Sequence, residues 1–93
     1  MPYIKQEDRE KLNIYINNIV AILQENPDKI EGNLNYVITK ITKDLFRSLK
    51  LGLLINYKNM NGIIGALECV KLEFYRRCLV PYENSKIQSN GDV

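Results

Sequence analysis

Histidine and tryptophan are absent from this 93-residue chain, and cysteine, methionine and phenylalanine occur twice each. The missing histidine removes the Ser-His and Cys-His pairs, the commonest general base near neutral pH and every imidazole metal ligand. Cys69 and Cys78 fall short of a thiolate zinc site. Nine residues apart on one helix, they would stand about 13.5 Å apart along the axis, too far for a disulfide. No glycine-rich phosphate loop of a standard pattern is present, and Gly62-Ile63-Ile64-Gly65 is too short to be one. Glu68 and Glu73, five apart, would point to different sides of a helix and make a poor acid/base pair. The reading leans away from an enzyme, with no catalytic residue, metal or cofactor assigned.

Long apolar runs are also missing. None approaches the roughly 18 residues of a membrane span, and the opening Met1-Pro2-Tyr3-Ile4-Lys5-Gln6-Glu7-Asp8 lacks the apolar core of a signal peptide. A cytoplasmic protein without a membrane partner is expected. A net charge of +2 is too small by itself to argue for nucleic-acid binding.

What the chain does have is helical periodicity. Leu12, Tyr15, Ile16, Ile19 and Leu23 recur at steps of three and four, predicting a first helix from about Gln6 to Glu25 with acidic residues at its start. Asn26-Pro27-Asp28 reads as a break, opening a loop that runs to Gly32. A second helix is expected from an Asn33 cap to about Lys50, with Leu34, Val37, Ile38, Ile41, Leu45 and Leu49 on one stripe and Gly52 closing it. Leu53-Leu54-Ile55 reads as a buried connector. The third helix should start after Asn56 and stop near Leu79, because Pro81 opposes further propagation. Its main stripe is Ile63, Ala66, Leu67, Val70 and Phe74, with apolar side chains at other angles too. Gly62, Gly65, Ala66 and Cys69 suit a close helix neighbour. The polar residues 83–93 read as a mobile tail on a single helical domain of residues 1–82.

Two charge patterns stand out. Lys40, Lys43, Arg47 and Lys50 lie opposite the apolar stripe of the second helix, near Tyr36, and a solvated amphipathic face explains them better than a weak nucleic-acid site. On the third helix Glu68, Lys71, Tyr75, Arg76 and Arg77 follow at helical steps. Glu68 with Lys71, and Glu73 with Arg77, would form surface ion pairs, while Arg76-Arg77 followed by Tyr82 is the better anion-binding candidate, since guanidinium offers a planar fork to phosphate.

The segments Asn33-Leu34-Asn35-Tyr36-Val37-Ile38-Thr39, Ala66-Leu67-Glu68-Cys69-Val70-Lys71-Leu72-Glu73-Phe74-Tyr75-Arg76-Arg77, Pro81-Tyr82-Glu83 and Asn90-Gly91-Asp92-Val93 resemble a family of small uncharacterised helical proteins of phages and bacterial genomes. The similarity spans nearly the whole chain, although Asn26 to Glu31 is longer than the family's usual link. The family carries no activity over. The resemblance implies a phage or prophage setting, in which small helical proteins bind host factors, inhibit defence or sequester nucleotide signals.

Together these observations predict an all-α fold, a compact three-helix bundle whose long C-terminal helix forms a homo-oligomeric interface. The expected function is non-catalytic binding or sequestration of an anionic, nucleotide-type signalling ligand to counter host defence, in the host cytoplasm. The residues assigned to that ligand are Asn35, Tyr36, Lys71, Tyr75, Arg76 and Arg77. The competing readings are a module that inhibits a host protein, through Leu53-Leu54-Ile55 or the apolar side of the third helix, and a weak nucleic-acid binder.

Overall fold

The computed structural model describes residues 4–45 and 56–93. It is all-α: three helices and, among the described residues, no strand, the last helix being 34 residues long. Phe46, Arg47, Leu49, Lys50, Gly52 and Leu53-Leu54-Ile55 lie outside the described residues, and with them the predicted end of the second helix and the predicted connector. Contacts divide the chain into two units, Met1–Leu45 and Phe46–Val93.

In the first unit α1 spans Gln6–Gln24, one residue short of the predicted end. Lys5, in extended conformation, starts it, and its carbonyl accepts the N–H groups of Asp8 and Arg9 at 3.0 and 3.1 Å. Glu7 and Asp8 place negative charge on the first turn, where the helix dipole favours it. The predicted loop from Asn26 to Gly32 is largely absent. Pro27–Lys29 form a 3₁₀ turn that leads directly into α2, Ile30–Leu45, so the second helix begins three residues before the predicted Asn33 cap. Pro27 sits at the first position of that turn, where a missing N–H costs nothing and a fixed φ is already helical. It starts a helix here as well as ending one.

α1 and α2 contact each other. Their best-covered apolar residues are Ile19 and Leu23 on α1 and Val37 on α2, three members of the predicted stripes, and all three are half-buried. No described residue of the protein is fully buried.

In the second unit α3 spans Tyr57–Phe74. The helix starts after Asn56 as predicted, and Asn56 caps it: its side-chain oxygen accepts the Asn59 N–H at 2.8 Å, satisfying one of the donors every helix start leaves over. The helix does not stop at Leu79. Tyr75–Leu79 form a π segment and α4, Val80–Asn90, continues from it without a break. The Val80 N–H bonds back to the Tyr75 carbonyl, five residues earlier. A proline within a helix clashes with the carbonyl four residues before it and leaves that carbonyl without a donor. The wider turn just ahead of Pro81 accommodates both faults, which lets the chain remain helical.

The predicted boundary between residues 1–82 and the tail 83–93 therefore falls inside α4. Ser85 and Ser89 hydroxyls donate to the carbonyls of Tyr82 and Ser85, within the helix, at 2.7 and 3.2 Å. Gly91 ends α4 at φ 88°, a backbone region that favours glycine, and its N–H bonds the Ile87 carbonyl at 2.8 Å.

Candidate anion site on the long helix

The candidate residues divide between the two units. Asn35 and Tyr36 lie on α2 in the first, and Lys71, Tyr75, Arg76 and Arg77 lie in the second. Asn35 accepts a hydrogen bond from the Thr39 hydroxyl at 3.1 Å, one helical turn on. Tyr36 is exposed.

In the second unit the chemistry collects around the junction of α3 with the π segment. Glu73, in the last turn of α3, faces Arg76 and Arg77, the second and third residues of the π segment. Arg76 Nη2 lies 3.0 Å from both carboxylate oxygens of Glu73, and Arg77 Nε donates to Oε2 at 2.6 Å. The steps of three and four make this meeting local, dictated by helix geometry alone. Hydrogen bonds from Arg76 first, then Arg77, hold the Glu73 carboxyl down at about 2. It is therefore an anion throughout the physiological range, paired with both guanidiniums.

Lys71 Nζ lies 2.8 Å from Glu68 Oε1, three residues before it. The two ion pairs predicted from spacing, Glu68 with Lys71 and Glu73 with Arg77, are both present. The bond from Arg76 to the same carboxylate was not predicted, although the pattern Glu-x-x-Arg-Arg contains it. Tyr75 lies between the lysine and the arginines and is about half exposed. Further on, Lys86 Nζ sits 5.6 Å from the centre of the Tyr82 ring, a cation–π distance. Tyr82 thus has a lysine of its own helix over its ring.

On α2, Lys40 Nζ reaches Asp44 Oδ2 at 3.0 Å, with both side chains a little under half exposed. Arg47 and Lys50, the other half of that basic face, lie outside the described residues. Both cysteines are free and exposed. Among the described residues no three His, Cys, Asp or Glu side chains converge as metal ligands would, and no helix is long and apolar enough to cross a membrane. A groove at the end of α4, beside Glu83, Lys86 and Asp92, mixes both signs of charge and contains none of the six candidates.

A family model described as a domain of unknown function, DUF6899, matches residues 1–93. The chain belongs to the DUF6899 family. No curated protein and no solved structure matches it. For a DUF6899 chain the all-helical architecture is therefore described directly from this structure, and any function must be argued from its own side chains.

Proposed function

We propose that this protein is a non-catalytic helical binding protein that takes up an anionic, nucleotide-type ligand at the π segment of its long helix. One observation carries the reading: Glu73 holds Arg76 and Arg77 side by side at the start of that segment. Each guanidinium is a planar fork of N–H donors suited to phosphate geometry, and the shared carboxylate brings two such forks together on one stretch of helix. π segments inside α-helices are frequent at functional sites. Tyr75, next in sequence and exposed, supplies a face for stacking, and Lys71 adds a cation one turn back.

The biological setting belongs to the same proposal. A phage or prophage protein in the host cytoplasm that sequesters a nucleotide signal needs no catalytic group, only ordered cations and a stacking surface. The resemblance described above supports that setting.

Calorimetry against a panel of linear and cyclic nucleotides tests the reading. Heat of binding is expected for at least one of them, and it should disappear in the double variant R76A/R77A. No heat from any member at high concentration overturns it.

A further inference from the structure

The π segment changes the direction in which the rest of the long helix faces. In α3 the apolar residues Met60, Ile63, Leu67, Val70 and Phe74 follow at steps of three, four, three and four, which keeps all of them within about 40° of one line. An uninterrupted α-helix would carry Tyr82 about 80° away from Phe74. The extra residue of a π turn rotates everything beyond it by about 100°, which returns Tyr82 to about 20° from Phe74 and keeps Cys78 on the same side. The outcome is a continuous seam from Met60 to Tyr82, about 33 Å long.

The seam lies open. Met60, Leu67, Val70, Phe74 and Tyr82 are 39 to 65% exposed, Cys78 is exposed and Ile63 is half-buried. Together these seven side chains offer on the order of 600 Å² per copy, so a self-paired seam would remove about 1,200 Å² from water, enough for a specific interface. An isolated helix gains little stability from propensity alone and normally relies on a covered apolar face.

We infer that a second copy of this chain covers the seam, its long helix lying parallel to and in register with the first. One feature favours an identical partner in that orientation. The seam steps regularly until Phe74, then by four and four to Cys78 and Tyr82, and a partner must carry the same irregularity at the same level to match it. A parallel copy does so automatically.

This inference is independent of the anion reading, since no nucleotide enters its test. Native mass spectrometry and sedimentation of the full chain are expected to give twice the 10.8 kDa protomer mass. In a parallel pair the two Cys78 thiols meet at one level, while Cys69, about 140° from Phe74, points away. Diamide, as the two-electron acceptor, should therefore cross-link wild type and Cys69→Ser into dimers and leave Cys78→Ser uncrosslinked. Phe74→Asp should weaken the dimer about tenfold or more, with circular dichroism to verify that the variant remains helical. Phe74→Leu, which keeps an apolar seam, should still dimerise. A monomer at 100-fold dilution from about 1 mM stock, whether its seam is covered within the chain or by a captured foreign protein, overturns the proposal. Cross-linking that depends on Cys69 overturns it equally.

Discussion

Arg77 Nε and Glu73 Oε2 lie 2.6 Å apart, and Arg76 Nη2 bonds both oxygens of the same carboxylate at 3.0 Å. The pairing lowers the Glu73 carboxyl to about 2, whereas an unfolded glutamate titrates near about 4.3. A group whose pKa is depressed on folding stabilises the fold above its unfolded value, and that stabilisation fades as pH falls toward the folded value. Helicity followed by circular dichroism should therefore decline from about pH 4.5 to about pH 2, and in Glu73→Gln the part of the decline due to this residue should be missing. Identical acid titrations of variant and wild type would show that the carboxylate contributes nothing to the helix.

The Asn56 cap gives a second expectation. Its side-chain oxygen satisfies the Asn59 N–H at 2.8 Å, and alanine cannot replace that acceptor. Asn56→Ala should lower stability by about 1 kcal/mol, and Asn56→Asp, which keeps the acceptor and adds favourable charge at the helix start, should match or exceed wild type. Denaturant unfolding read at 222 nm distinguishes the two.

Pro81 lies just beyond the π segment, and the widened turn removes the conflict between its ring and the preceding carbonyl. Pro81→Ala restores a backbone donor and permits a regular α-helix. Thermal stability should rise, by an amount bounded by the roughly 3 kcal/mol that proline costs in a helix interior. The amide of residue 81, absent in wild type, should become protected from hydrogen exchange. If the π geometry is imposed by Pro81, the substitution also rotates Tyr82 off the apolar seam and should loosen the proposed dimer.

These cases show where sequence reasoning succeeded and where it stopped. The start of α3 after Asn56 and the two pairs Glu68–Lys71 and Glu73–Arg77 were legible because each depends on contacts within one helical turn, which spacing alone determines. The end of α1 was found to within a residue for the same reason. Both misplaced boundaries involve proline. Pro27 read as a breaker and Pro81 as a stop, yet one opens a 3₁₀ turn that leads into α2 and the other follows a π segment. Proline rules out particular hydrogen bonds, and several backbone geometries meet that restriction. Residue composition does not choose among them. The re-phasing of Tyr82 follows from the π turn and was therefore hidden as well.

The last prediction separates charge from geometry at the arginine pair. Lysine retains the positive charge but replaces a planar fork with a point charge on a flexible stem. If a phosphate-bearing ligand is held by paired N–H donors, the double variant R76K/R77K should bind about tenfold more weakly than wild type. If charge alone attracts the ligand, the double lysine variant should bind as well as wild type, and affinity should fall steeply with added salt in both proteins. Glu73→Gln provides the third arm. Removing the carboxylate frees the guanidiniums from their main anchor, so a loss of affinity in that variant would mean that their ordering by Glu73 matters, whereas a gain would mean that Glu73 competes with the ligand for the same donors. Calorimetric titrations with the best-binding nucleotide, run on wild type and these two variants at two salt concentrations, distinguish fork recognition from plain electrostatic attraction.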